Sequence, residues 1–133
     1  MKLIYPAVFK PYSDGSGGYV VEFPDLPGCV TGGNDLQEAI EMGIDAASGW
    51  ILGELEDGEQ IPAASRYEDV KVSDNGMVNM LLLDIDYYAE KYGEKAVRKN
   101  LTIPAWLNTY AEKNNINFSK LLQEALYSMA MAK

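Results

Sequence analysis

The strongest pattern in this sequence is that of a long amphipathic helix, and it limits what the surrounding chain can form. Asp35 is predicted to cap the helix, and Glu38, three residues later, completes a start that resembles a capping box. Apolar residues then recur at the spacing of a helix packed on a sheet: Leu36, Ala39, Ile40, Gly43, Ile44, Ala47, Trp50 and Ile51. Gly43 and Gly49 lower the helix propensity but permit close approach to that sheet. The neighbouring segments must therefore supply a sheet that covers this stripe.

Segments with strand patterns lie on both sides of the helix. Strands are predicted before it, over residues 3–9, 19–23 and 29–31, separated by turn-forming glycines and prolines. After it, residues 70–72, the Asp74-Asn75-Gly76 turn signal and residues 77–85 predict a hairpin, and a short linker helix is predicted over 86–95. Pro6 lacks an N–H and predicts an edge position or a bulge in the first strand. The predicted fold class is α+β.

Charge divides the chain into two parts. Residues 1–90 carry 17 Asp and Glu against four Lys and Arg, whereas residues 91–133 carry three acids against seven bases. Such a division suggests one end that binds a polyanion and one end suited to a basic partner. The alternative is that the acidity only keeps the protein soluble.

The composition also excludes several kinds of site. The chain has no histidine, so the usual general base and the usual metal ligand are absent. Cys29 is the only cysteine, which excludes an internal disulfide and predicts a small packed residue. We therefore expect a protein that is not an enzyme and needs no cofactor or metal. Without a signal-peptide pattern or a run long enough to span a membrane, we expect a cytoplasmic protein.

A short alternating run near the C-terminal end, residues 97–103, predicts a strand with one polar face. Arg98, Asn100 and Thr102 share that face because successive side chains of a strand point to opposite sides. Such residues on a β-ribbon can read base edges in a major groove, with Arg98 suited to guanine and Asn100 to adenine. The alternative is an ordinary edge strand whose polar face only contacts water.

Two short helices are predicted after this strand. Pro104 suits the first turn of one helix, Asn114 and Asn115 tolerate the left-handed conformation that ends it, and Asn117 is a plausible N-cap of the next. A seven-residue strand and two short helices cannot close a core alone. The segment therefore predicts a homodimer in which two strands pair and four helices pack beneath them.

This arrangement resembles the ribbon-helix-helix family of DNA-binding domains, over about residues 95–131. The resemblance implies a dimer that inserts a two-stranded ribbon into the major groove of double-stranded operator DNA, with Arg98, Asn100 and Thr102 facing bases. It also implies that the start of the second helix binds a phosphate through its backbone amides. The residues at that position are Phe118, Ser119 and Lys120.

The N-terminal part carries a second resemblance. The run Phe-Pro-Asp-Leu-Pro-Gly-Cys at residues 23–29 is specific, because two prolines and a glycine at that spacing rarely occur together by chance. With Tyr-Pro-Ala-Val-Phe at residues 5–9 and Glu-Ala-Ile at 38–40, it resembles the HicB antitoxin family, closely over residues 3–55 and more loosely over 56–90. The resemblance implies a partial RNase H-like β-β-β-α-β domain. It also implies binding to a small basic HicA-type toxin that cleaves mRNA, and repression of the operon that encodes both proteins.

These resemblances divide the chain into a toxin-neutralising domain (1–90), a linker (91–96) and a ribbon-helix-helix domain (97–133). Glu22, Asp25 and Asp35 are the candidate toxin contacts, and the alternative for Asp25 is that it only caps its turn. Whether two dimers associate further through their N-terminal domains stays open.

Two other functional classes make different demands on the sequence. A free-standing transcriptional regulator would use the N-terminal domain to sense a small ligand. A metal-dependent nuclease of RNase H type would need several converging carboxylates, one of them on the first strand. Residues 3–9 contain no acid, and Asp84 and Asp86 alone would not form such a site.

Overall fold

A computed structural model describes residues 1–73, 75–93 and 96–131. The chain divides into two compact units, Met1–Lys95 and Ala96–Lys133. Across the described ranges, no helix is both long and apolar enough to span a bilayer.

The first unit is built on a four-stranded sheet. Its strands are β1 (Lys2–Pro11), β2 (Tyr19–Glu22), β3 (Val30–Gly33) and β4 (Met77–Asp84), in the spatial order β3-β2-β1-β4. All three pairs of neighbouring strands are antiparallel. The three strands predicted before the long helix are confirmed, and so is the α+β class.

The predicted hairpin around residue 74 is wrong. Residues 70–72 form no strand, and β4 pairs instead with β1, from Lys2 opposite Asp84 to Phe9 opposite Met77. This pairing turns Leu81 and Leu83 toward the core. β1 pairs along all eight residues of β4, whereas a strand at 70–72 would pair with only part of it. Only the turn remains: Gly76 N–H donates to Ser73 O at 3.0 Å, and Asn75 is left-handed with φ 67°. Asp74 lies outside the described residues.

Pro6 lies on an open side of β1, in agreement with the predicted edge position. β2 pairs with β1 only from Val8, opposite Glu22, to Pro11, opposite Tyr19. The segment from Lys2 to Ala7 therefore pairs with β4 alone. A proline is tolerated beside the unpaired side of a strand, because no N–H donor is needed there.

The long helix α1 (Leu36–Glu56) begins as predicted. Asp35 Oδ1 accepts a hydrogen bond from Glu38 N–H at 2.8 Å, and Glu38 Oε1 accepts one from Asn34 N–H at 3.0 Å. The reciprocal bond of the capping box therefore goes to the residue before the cap. These bonds satisfy backbone donors that the first turn cannot satisfy within the helix.

The core lies between α1 and one face of the sheet. The helix approaches closely at Gly43, where an added Cβ would lie 3.1 Å from Leu81 Cδ1 and 3.3 Å from Val21 Cγ1. Cys29 is buried in this core, and burial raises the pKa of its thiol. The largest fully buried apolar side chains are Phe9, Val21, Leu26, Ile51 and Leu83. Burying a side chain of this size stabilises a fold by roughly 1.5–3 kcal/mol.

The helix predicted over residues 86–95 is present as α2 (Ile85–Tyr92), but it belongs to the first unit and packs against α1, whereas the sequence suggested a linker. Asp84 caps it by accepting a hydrogen bond from Tyr87 N–H at 3.1 Å. Ile85 is buried in the core, and an added Cβ at Gly49 of α1 would lie 2.7 Å from the Tyr88 hydroxyl. Residues 91 and 92 of the predicted linker form the last turn of α2, while Glu94 and Lys95 lie outside the described residues.

The second unit contains two helices, α3 (Ala105–Lys113) and α4 (Phe118–Met131). Asn115 ends α3 in the left-handed conformation, with φ 54°, as predicted. Asn117 caps α4, accepting a hydrogen bond from Lys120 N–H at 3.0 Å. The segment predicted as a strand, residues 97–103, has no ladder partner among the described residues.

Candidate functional site

The three residues predicted to read bases lie in the segment before α3, which has no regular secondary structure. Arg98, Asn100 and Thr102 are all exposed. None of their side chains makes a hydrogen bond or an ion pair with another described residue. They are therefore free to contact another molecule.

The predicted phosphate site lies at the start of α4. The Lys120 amide already donates to Asn117 Oδ1, so it is occupied by the cap. The amides of Phe118 and Ser119 have no acceptor among the described residues, as expected for the first turn of a helix. Two of the three predicted amides are thus available to an external acceptor.

The second unit exposes most of its apolar side chains. Val97 is 78% exposed, Trp106 71% and Met129 74%, and Ala111 is the only residue classed as buried among the described residues 96–131. Exposed apolar surface of this extent marks an interaction site. Other large exposed apolar residues of this unit are Leu101, Tyr110, Leu121 and Leu126.

The three acidic residues predicted as toxin contacts each have a partner within the chain. Glu22 Oε2 lies 3.7 Å from Lys10 Nζ, and Asp35 caps α1. Asp25 Oδ2 accepts a hydrogen bond from Ser65 N–H at 2.8 Å, and its Oδ1 accepts one from Ser65 Oγ at 2.5 Å. Asp25 therefore holds the loop after α1, and it does not cap its own turn, which is closed by backbone bonds.

A second bond holds the same loop. The Tyr5 hydroxyl donates to Pro62 O. Burial, with a smaller contribution from the nearby Asp25 carboxylate, raises the pKa of Tyr5, so the hydroxyl keeps its proton. The loop at residues 62–65 is thus held to β1 and to the turn after β2.

The sequence did not reveal a cleft of about 590 Å³ between α1, β4 and α2. Tyr87, Tyr88 and Tyr92 contribute aromatic rings, with 4.7 Å between the centroids of Tyr88 and Tyr92. Glu41 and Asp45 lie one turn apart on the α1 side. The spacing of these two acids, four residues apart, was the available signal, but it shows only that they share a helix face.

Asp45 and Lys91 bring opposite charges to this cleft and affect the pKa values or positions of its tyrosines and lysine. Burial, then the Asp45 carboxylate and Tyr92, raise the pKa of the Tyr88 hydroxyl. Lys91 Nζ lies 4.5 Å from the centroid of the Tyr87 ring, and a hydrogen bond with Tyr87 raises the pKa of that lysine. Lys91 is therefore directed to an aromatic ring.

The two acids considered for a nuclease site have other roles. Asp84 caps α2, and Asp86 forms an ion pair with the Met1 amino group. In the part of the chain that the structure describes, no group of three or more His, Cys, Asp or Glu is arranged to hold a metal ion.

Comparison with known proteins decides the family. The model of the HicB-like antitoxins of bacterial toxin-antitoxin systems matches residues 5–126 of this chain. The chain belongs to the HicB-like antitoxin family. Proteins of this family are antitoxins and not enzymes.

Two curated relatives are similar in sequence. An uncharacterised 14.9 kDa protein from the rep-hol intergenic region of Haemophilus phage HP1 is 32% identical over 136 residues, which cover 95% of this chain and 99% of the relative. Antitoxin HicB 1 of Photorhabdus laumondii is 37% identical over 86 residues, covering 62% of this HicB-like chain and 54% of that antitoxin.

A solved structure has a similar fold along nearly the whole chain. The toxin-antitoxin complex from Streptococcus pneumoniae contains a chain that is 25% identical to this one, with a TM-score of 0.63. The match covers 97% of this HicB-like chain and 99% of that chain.

Proposed function

We propose that this HicB-like protein binds and blocks a small basic HicA-type toxin that cleaves mRNA, and that it represses its own operon by binding operator DNA as a dimer. The observation that carries the proposal is the family membership of a chain whose acidic and basic residues are separated, with 17 acids against four bases in residues 1–90. We expect both activities in the cytoplasm, where mRNA and operator DNA are present.

The toxin-binding role belongs to the first unit. An acidic surface favours encounter with a basic partner and disfavours wrong partners. The β-β-β-α-β order of this unit supports the partial RNase H-like description. The similar chain of the Streptococcus pneumoniae complex supports a toxin as the partner.

The DNA-binding role belongs to the second unit, as a ribbon-helix-helix domain. Arg98, Asn100 and Thr102 are exposed and make no hydrogen bond within the described chain, and they alternate in sequence with apolar residues and Lys99. A second copy would provide the antiparallel partner that converts this segment into a ribbon. The unbonded amides of Phe118 and Ser119 would then bind a phosphate at the start of α4.

Dimer formation follows from the exposed apolar surface of the second unit. Trp106 and Met129 are more than two-thirds exposed in the single chain, and burial against a second copy removes such area from water. The gain is about 25 cal/mol per Å² of apolar surface buried. A two-fold dimer predicts a two-fold operator.

Co-expression tests the proposal. The chain is produced with the basic protein encoded beside it, purified through a tag on that partner, and measured for growth rescue and for binding to its own promoter fragment. A stable complex that restores growth and shifts the promoter fragment is the expected result. Growth arrest that persists despite a folded, co-purified chain would contradict the antitoxin role, and a promoter fragment that never shifts would contradict the repressor role.

A further inference from the structure

The cleft between α1, β4 and α2 combines aromatic rings with carboxylates around one concavity. Tyr87, Tyr88 and Tyr92 line it together with Glu41 and Asp45. A guanidinium group suits such a lining, because it can stack on a ring and donate to a carboxylate at the same time. The cleft volume of about 590 Å³ leaves room for the end of a long side chain.

Three carboxylates line the cleft, and none of them forms an ion pair with a described residue. Asp84 is engaged as the cap of α2, which leaves Glu41 and Asp45. Asp45 makes no hydrogen bond or ion pair within the described chain, and Glu41 Oε1 accepts only from the neutral Gln37 Nε2, at 3.2 Å. Lys91, the cation that lines the cleft, is directed to the Tyr87 ring. An incoming cation therefore finds two available carboxylates.

Ser48 provides a further polar group in the lining of the cleft. It is only 2% exposed, and its hydroxyl makes no hydrogen bond with any described residue. A donor inserted into the cleft can satisfy the Ser48 oxygen, and a guanidinium carries five such donors.

We propose that this cleft receives an arginine side chain of the basic toxin, with the guanidinium paired to Asp45 and Glu41 and packed against the tyrosines. The identity of the partner rests on the proposed function, whereas the preference for a guanidinium rests on the cleft itself. The charge of the first unit agrees with a cationic occupant, because residues 1–90 have an excess of acids.

The test compares the toxin affinity of three full-length proteins: the wild type, the double variant Glu41→Gln with Asp45→Asn, and the control Glu90→Gln. Glu90 is an exposed acid of α2 outside the cleft, so the control loses a charge but no cleft residue. We expect the double variant to bind the toxin about tenfold more weakly or worse, with a smaller salt dependence, and the control to stay within about twofold. Unfolding midpoints in urea establish that all three proteins are folded.

The outcomes separate this proposal from the function on which it rests. If the wild type binds the toxin and the double variant binds it equally well, the arginine cleft is wrong and the antitoxin role stands. If the double variant changes the self-association of the chain and not its toxin affinity, the occupant is a second copy, and the proposal is also wrong.

A wild type that binds no toxin would instead contradict the proposed function. The cleft is then tested with N-acetyl-L-arginine amide as the probe, by following the amide resonances of Tyr87 and Tyr88. Saturable shifts in the wild type that disappear in the double variant are expected for a guanidinium site. Their absence would overturn it.

Discussion

Asp25 uses both carboxylate oxygens to hold the loop after α1. It accepts one hydrogen bond from the Ser65 amide and one from the Ser65 hydroxyl. Tyr5 reaches the same loop at Pro62, so two residues far apart in sequence fix it. A half-buried carboxylate with two donors is therefore a structural element of this fold.

Replacing Asp25 with alanine should lower the free energy of unfolding by roughly 1–3 kcal/mol, because two donors on Ser65 lose their acceptor. The measurement is urea unfolding of the full chain. Glu59→Gln is the matched control: Glu59 is an exposed acid in the same loop, and its replacement should change the stability by less than about 0.5 kcal/mol. Equal midpoints for Asp25→Ala and the wild type would show that the loop does not depend on this carboxylate.

Among the helices and strands, local signals were enough to predict some elements and not others. α1 was predictable because its cap and the spacing of its apolar residues are both read from one continuous stretch of sequence. The partner of β4 was not, because β1 lies about seventy residues earlier and the Asn75-Gly76 turn suggested a nearer partner. The packing of α2 was not predicted, because the burial of Ile85 depends on where α1 lies in the folded unit, and without that contact the helix looked like a linker. The cleft was missed for the same reason, since its residues come from three elements.

The segment from residue 97 to 103 provides the prediction at this scale. The double variant Arg98→Ala with Asn100→Ala should weaken operator binding by roughly a hundredfold or more, because a bidentate base contact contributes about 1–3 kcal/mol. Gel shifts with the promoter fragment measure this. Lys113→Ala, at the end of α3, removes one positive charge outside the ribbon and should have a much smaller effect. Toxin affinity should be unchanged in both variants, and an unaltered gel shift for the double variant would mean that the strand register is wrong.

For the whole molecule, the two units differ in how well they bury their apolar side chains. The first unit has a closed core between its sheet and α1, while the second exposes its apolar side chains. A boundary at residue 90, which the sequence suggested, would cut through α2 (Ile85–Tyr92). A functional division after α2 keeps the core of the first unit intact.

A fragment of residues 1–93 should therefore fold alone and bind the toxin within about threefold of the full chain, because the residues proposed to contact the toxin all belong to the first unit. It should not bind the promoter fragment. Calorimetry with the purified toxin measures the affinity. A shorter fragment, residues 1–84, loses Ile85 and Tyr88 from the core and should be clearly less stable. If the folded 1–93 fragment fails to bind the toxin, the division of roles between the units is wrong.

The pairing of β1 with β4 also has a consequence for the order in which the molecule acquires its structure. β1 begins at Lys2, but its long partner ends at Asp84, so residues 2–7 of β1 have no strand partner during synthesis until β4 has been made. Contacts this distant in sequence make folding slow, whereas the short helices of the second unit form from local contacts. The proposed toxin binding by the first unit therefore depends on β4, because a chain that stops before β4 leaves residues 2–7 of β1 without a strand partner and exposes the edge of the sheet.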